Sequence, residues 1–397
     1  MAATEATARP WRVTLALFVA GFATFSLIYS TQPLLPQLAR DFALSAAASS
    51  WALSATTAAL AVSILIAGAL SETLGRKGLM FASMCAAAML NLACAAAPTW
   101  PLFLLGRALE GLALGGVPSV AMAYIAEETP PERLGSAMGL YVSGTAFGGM
   151  TGRVAIGALS QVCGWRGALA IVSGLDLVAA LAFLALLPPS RHFVRRRGMA
   201  LAAHLGAWRQ HLGEPGLAWL FLVGFLAMGA FVTVYNYVGF RLAAAPYHLN
   251  QAQIGLIFLT YLTGMAASSW AGGLADRFGR APVLALGACI ALAGLAISLA
   301  QPLALVILGV AAITVGFFIA HSVASGWVGA LAGRNRGHAA SLYLLAYYLG
   351  GSLLGSAGGL AWRVAGWLGV TAFCVAAMLG VLAAGLALAF RDRRAPV

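Results

Sequence analysis

Five ionisable residues stand inside apolar stretches of this chain: Arg107, Glu110, Arg153, Asp176 and His321. Each would cost about 2.5–3.5 kcal/mol at the centre of a membrane-spanning helix, so such residues are functional candidates by default. A carboxylate in that setting can take up or release a proton as its wetting and its partners change. A histidine titrates near neutrality without help and can also bind a solute. At 1.5 Å of rise per residue, Glu110, Arg153 and Asp176 lie about 10–15 Å from one end of their segments, and Arg107 slightly shallower. These four charges sum to zero. The expectation is that Arg153 pairs with Glu110 or Asp176 and Arg107 takes the other. Such a network either takes up and releases protons or fixes the packing of half the molecule.

The elements that must hold these groups are helices in lipid. Of the 397 residues, 61% are hydrophobic and 9% are charged. Soluble domains carry about 25% charged residues, so a water-soluble fold is excluded. Runs of about 20 apolar residues read as spanning helices. Twelve fit, at about 12–32, 49–71, 78–97, 101–125, 136–160, 166–187, 216–240, 253–274, 281–300, 303–329, 339–361 and 366–390. Ser45 and Asn250 stand as N-caps before the second and eighth, with Gln253 completing a capping box. The architecture expected is an all-α membrane protein. Its parts are a six-helix bundle (1–187), an amphipathic linker (188–215) and a second six-helix bundle (216–397).

The net charge of +12 could suggest nucleic acid, but its placement does not. Of the 23 Lys and Arg, 17 fall on the side of the two termini, 4 on the other side, and Arg107 and Arg153 within spans. The positive-inside rule then puts both termini in the cytoplasm. The five cysteines form no CxxC, so neither a metal site nor a disulfide framework is expected. No GxxxxGK[ST] loop is present for ATP. The expected energy source is a proton gradient, with no cofactor.

The halves repeat. Tyr141, Gly148-Gly149, Gly157 and Trp165 recur 202 residues later as Tyr343, Gly350-Gly351, Gly359 and Trp367. GALSETLGRK (68–77) recurs as GGLADRFGRA (272–281), 204 later. Parallel six-helix repeats with a site between them are one layout of secondary transporters. In the repeated loops, Gly68, Gly75, Gly272 and Gly279 permit tight turns and close approach. Glu72 and Asp276 can pair with Arg76 and Arg280 four residues on, flanked by Lys77 and Arg277. These are the candidate gating motifs. Within the fifth span Gly144, Gly148 and Gly152 form a row for close helix contact. Arg153 belongs to the next row, where the second half has Gly355.

These motifs resemble those of the major facilitator superfamily along essentially the whole chain. LIYSTQPLLPQL (27–38), GGMTGR (148–153), VYNYVGFRL (234–242), GFFIAHSVASGW (316–327) and SLYLLAYYLGGS (341–352) are similar to the YnfM-type branch of bacterial inner-membrane efflux transporters. The resemblance implies alternating access about a cavity lined by the first, fourth, seventh and tenth spans. It also implies a proton-coupling role for Arg107 in Arg107-Ala-Leu-Glu-Gly111. Two departures stand out. Glu110 occupies a place where glutamine is common, and Thr145 replaces the proline of the fifth-span antiporter motif, Gly-Pro-x-x-Gly-Gly.

Candidate cavity residues are Tyr29, Gln32, Tyr124, Tyr235, Asn236, His321 and Trp327, a set suited to amphipathic organic molecules. Tyr237, Arg241 and Tyr247 read as interfacial anchors. The function expected is proton-linked export of a small organic compound by a monomer in the inner membrane. Proton-coupled uptake and a membrane-embedded enzyme are the alternatives.

Overall fold

The computed structural model describes residues 10–129, 131–190, 201–333 and 336–394. The side chains at 10, 68–70, 72–74, 131, 132, 135, 201–203 and 392–394 lie outside that description. Among the described residues, ten apolar helical stretches are long enough to cross a bilayer. Two of them, of 51 and 56 residues, break internally, so the chain crosses twelve times.

In the first half the helices are α1 (Pro10–Tyr29), α2 (Leu35–Asp41), α3 (Ala46–Leu74), α4 (Arg76–Ala96), α5 (Trp100–Leu114), α6 (Pro118–Glu128) and α7 (Pro131–Leu186). Helix α8 (Leu201–Leu212) follows in the linker. The second half has α9 (Pro215–Ala243), α10 (Gln251–Leu256), α11 (Tyr261–Phe278), α12 (Arg280–Ile297), α13 (Leu303–Leu331) and α14 (Arg336–Arg394). Both expected caps form. The Ser45 hydroxyl accepts from Ala48 N at 3.1 Å, and Asn250 and Gln253 make a reciprocal capping box.

The breaks have local causes. Helix α7 turns at Gly164, whose φ of 69° suits glycine, and α14 turns at Gly366 with φ 54°. The first span ends earlier than its apolar run. Pro33 and Pro36 follow Tyr29, and the residue before a proline is pushed out of helical geometry. A turn at 30–34 therefore leads into α2, an extra helix. The fourth span is also two pieces. Pro118 lacks an N–H for the helix ladder, and Ser63 takes the Leu112 carbonyl at 2.5 Å beside the break.

The repeat is visible in the packing. Gly144, Gly148 and Gly152 face Phe18, Phe22 and Ser26 of α1, so close that a methyl on Gly148 would sit 2.1 Å from Phe22 O. In the second half Gly350 meets Phe225 of α9 in the same way. The loops after α3 and α11 turn at Gly75 and Gly279, each with φ 90°. Their ion pairs differ from expectation. Arg76 bonds Glu127 of α6 at 2.6 Å and also Ser71. Glu72 and Gly68 lie outside the described side chains. Asp276, Arg277 and Arg280 are exposed, and Asp276 makes no ion pair with Arg280 among the described residues. Helix α6 brings Glu127 against the first loop, whereas Gly272 and Gly273 of the second face open space.

The halves meet on the face opposite the termini. A Cβ on Gly157 would lie 2.9 Å from Gly255 Cα, and one on Gly359 would lie 2.4 Å from Ala47 Cβ. Around these points Ser54 bonds Ser356 at 2.7 Å and Thr57 bonds Ser352 at 2.7 Å. Gln251 of α10 donates to the Pro33 carbonyl, and its backbone N–H donates to Gln161 at 3.3 Å. Among the described residues, no ion pair joins the two halves there.

Candidate functional site

Between the halves lies a cavity of about 410 Å³, set toward the face of the termini. Tyr29, Arg153, Phe231, Tyr261, Phe317, His321 and Tyr347 are among its lining residues. Pro118 and His321, equivalent in the repeat, face it from opposite halves. Aromatic rings line much of the wall. Phe231 stacks on Phe317 at 3.9 Å between centroids, and Phe317 stacks in turn on the His321 imidazole. His321 Nδ1 meets Tyr343 Oη at 2.9 Å.

Arg153 reaches this cavity without a carboxylate partner. Its Nε donates to Gln32 Oε1 at 2.7 Å and its Nη1 to the Gly149 carbonyl at 2.6 Å. The guanidinium carbon lies 3.8 Å from the Tyr29 ring centre, 4.8 Å from Tyr261 and 5.1 Å from Phe258. Three aromatic faces thus supply the negative potential that a carboxylate would otherwise supply. The expected Arg153 pairing with Glu110 or Asp176 does not form. The side chain points across α1 toward the second half, away from both acids. Gln32 passes the contact on, donating to Asn236 Oδ1 at 2.9 Å, and Asn236 donates to the Gly355 carbonyl at 3.2 Å. Gly355 is the repeat partner of Arg153, so the bond chain runs between equivalent positions of the two halves.

The second cluster is sealed inside the first half. Arg107 and Glu110 are fully buried and pair at 2.5 Å. Arg107 Nε donates to the Ala52 carbonyl at 3.0 Å, and Nη1 to Asn91 Oδ1 at 3.1 Å and Ser30 Oγ at 3.3 Å. Its Nη2 donates to the Ile28 carbonyl at 2.9 Å. That carbonyl is free because α1 stops at Tyr29, so Arg107 caps the end of α1. Asn91 donates onward to Ser173 at 2.9 Å, one turn before Asp176. Asp176 is buried beside Ser26 and within electrostatic reach of Glu110, with no cation paired to it among the described residues. Glu110 Oε1 and Asp176 Oδ2 have no hydrogen-bond partner among the described residues.

The other expected cavity residues lie elsewhere. Trp327 is 1% exposed and packs in the second-half core. Tyr124 is buried in the first half and donates to the Pro188 carbonyl at 3.1 Å. Tyr235 turns its hydroxyl to Thr260 and Thr314, underneath the aromatic wall. All three sit on spans that do approach the cavity, but on faces turned from it. Gln32 and Asn236 bridge the halves at its closed end rather than line it. Tyr237 is fully buried and bonds the Ser356 carbonyl at 3.3 Å, so it is no interfacial anchor. Sequence reading missed Asn91, Ser30, Glu127, Phe258 and Tyr261. Asn91 was findable, as an amide inside a span that is otherwise apolar.

The twelve crossings, the repeat and the central cavity define a membrane transporter fold, and comparison with known proteins identifies the family. The Major Facilitator Superfamily profile matches residues 15–243. The chain is 44% identical over 365 residues to the uncharacterized MFS-type transporter YybF of Bacillus subtilis (strain 168), covering 90% of this chain and 89% of that one. It is 44% identical over 368 residues to the inner membrane transport protein YnfM of Escherichia coli (strain K12), covering 93% and 88%. Among solved structures it resembles a bacterial homolog of the human lysosomal transporter Spinster in an inward-facing, occupied conformation. There the TM-score is 0.78 at 15% identity, over 97% of both chains. A D-xylose-proton symporter matches with TM-score 0.75 at 18% identity, over 95% and 97%. The protein belongs to the major facilitator superfamily and is a multi-pass membrane transporter, not an enzyme.

Proposed function

We propose that the protein exports a small organic molecule from the cytoplasm in exchange for protons, by rocking its halves about the central cavity. The observation that carries this reading is the turn at 30–34, which is held from two sides. Arg107 of the buried acid cluster grips the carbonyl of Ile28 and the hydroxyl of Ser30. Gln32, two residues on, grips Arg153 at the cavity. A proton arriving on Glu110 Oε1 or Asp176 Oδ2 neutralises a buried charge and alters the hold of Arg107 on that turn. A solute arriving at Arg153 pulls on the same turn from the other side. Two ligands that bias one two-state element are thermodynamically coupled.

The remaining assignments follow from charge and shape. The excess of Arg and Lys on the terminal face makes that face cytoplasmic, so the cavity opens inward. The loops at Gly75 and Gly279 then act as cytoplasmic gates, with Arg76–Glu127 already engaged. The protein works as a monomer in the inner membrane, since its cavity is complete within one chain.

Proton-driven flux in proteoliposomes tests the coupling. Glu110→Gln and Asp176→Asn each remove one candidate proton site while keeping shape. At least one is expected to retain solute exchange at equilibrium and lose its response to an imposed pH jump. Unchanged proton dependence in both variants would sink the coupling. A jump that drives solute inward with the protons would turn the reading to symport.

A further inference from the structure

The cavity wall presents a fixed positive charge. Among the described lining residues Arg153 is the only Arg or Lys, and no Asp or Glu joins it. Arg153 is 1% exposed and has no ion pair among the described residues. Its Nε and Nη1 are engaged by Gln32 and Gly149, but Nη2 has no acceptor among the described residues. Buried guanidinium groups are ordinarily matched by a carboxylate or phosphate in a two-pronged contact. Here the protein supplies only ring faces and neutral oxygens, which leaves a hydrogen-bonding edge unfilled beside the cavity. Aromatic rings line much of the rest of the wall, from Phe25 and Tyr29 through Phe231 and Phe317 to Tyr347. A volume of about 410 Å³ suits a compact molecule.

We infer that the transported molecule is an organic anion with an apolar or aromatic body, whose carboxylate docks on Arg153. This rests on the transport reading above and names its substrate class. The body lies along the rings of Phe231, Phe317 and Tyr347. The anion completes the charge balance of a cation that the protein leaves without one. A solute cation is disfavoured at the same place, because the site offers it repulsion from Arg153 and no acid. Anchoring at Gln32 keeps the guanidinium aimed, so Gln32 is a positioning residue and Arg153 the binding one.

The test uses purified full-length protein and two matched series. Benzoate, benzyl alcohol and benzylamine share one ring, and indole acetate, tryptophol and tryptamine share another. Binding is read by isothermal calorimetry and by thermal stabilisation. In each series the carboxylate is expected to bind at least about ten-fold more tightly than the alcohol and the amine. Arg153→Gln is expected to remove that preference, and Arg153→Lys to retain part of it. Equal or tighter binding of an alcohol or amine, binding by no carboxylate, or an unchanged preference in Arg153→Gln would each overturn the assignment. Should Arg153→Gln fail to fold, the ranking of charges on the unaltered protein decides alone. Counterflow of the bound carboxylate in proteoliposomes separates the two readings. Binding without counterflow removes the transport role and keeps the anion site, whereas counterflow of only neutral or cationic solutes does the reverse.

Discussion

The two halves share a scaffold and differ in where they keep their charges. Arg107, Glu110, Arg153 and Asp176 are all buried in the first half. Their repeat partners in the second lie 203 residues on in the fourth span, where Pro118 answers to His321, and 202 on in the fifth and sixth: Val310, Ile313, Gly355 and Met378, buried and apolar. The second half contributes rings instead: Phe231, Tyr235, Phe258, Tyr261, Phe317 and Tyr347 form one connected cluster of stacked, tilted and edge-on contacts, with Phe258 and Tyr261 facing Arg153. The same six-helix plan therefore tolerates either a hydrogen-bonded ion network or plain apolar packing at matching positions. On the reading proposed above, what the network adds is a place for protons and for an anion, not the fold.

The sharpest way to break that comparison is at the Arg107–Glu110 pair. Arg107→Met alone strands a buried carboxylate and releases the end of α1. The expected loss is about 3–5 kcal/mol, read as a lowered melting temperature in detergent. The paired change Arg107→Val with Glu110→Ile copies Val310 and Ile313. It is expected to recover most of the lost stability while remaining unable to respond to a pH gradient. A paired variant that melts as low as the single one would show that the halves are not interchangeable scaffolds there.

The seal offers a symmetric test of intermediate size. Gly157→Val and Gly359→Val each push a side chain into the opposite half. Overpacking of this kind costs about 1–3 kcal/mol, enough to shift the closed population of that face by about ten-fold or more. Labelling of a cysteine placed at Ser356 is expected to accelerate in both, in a background without the exposed Cys163 and Cys289. Acceleration in only one would make the seal one-sided.

The smallest effect distinguishes the two amides. Gln32 accepts a charge-assisted bond from Arg153, whereas Asn236 has neutral partners alone. Gln32→Ala is expected to cost about 1.5–3 kcal/mol and Asn236→Ala about 1 kcal/mol, by chemical denaturation of the two variants side by side. The opposite order would place the weight of the bridge in the second half.

Much of the fold is legible in the residues. Apolar length, the Ser45 and Asn250 caps and the 202-residue offset give the spans and the duplication. The row Gly144, Gly148 and Gly152 announces the close contact with α1. The breaks at Pro33 and Pro118 were harder, because the apolar run continues through them and hydropathy is blind to a missing N–H. Within the site, the four charges were found by type, but their pairing was not. Arg107 finds Glu110 on its own helix, while Arg153 chooses aromatic rings, a preference that depends on how α1, α7 and α11 converge. Tyr124, Tyr235 and Trp327 were placed on the right spans and the wrong faces, since a helix apolar all round shows no stripe to mark its inner side. Thr145, in the proline's place, bonds the Val142 carbonyl at 2.7 Å and leaves α7 without a kink until Gly164.

The face opposite the termini is held by hydroxyls, amides and bare glycine backbone. A net hydrogen bond there is worth about 0.5–1.5 kcal/mol, and glycine contacts bury little apolar area. Water admitted to the seam would replace each of those bonds nearly one for one. Each contact along that seam is therefore cheap to exchange for water. In the export mechanism proposed above, a load at Arg153 or on the buried acids decides which arrangement of that seam is occupied.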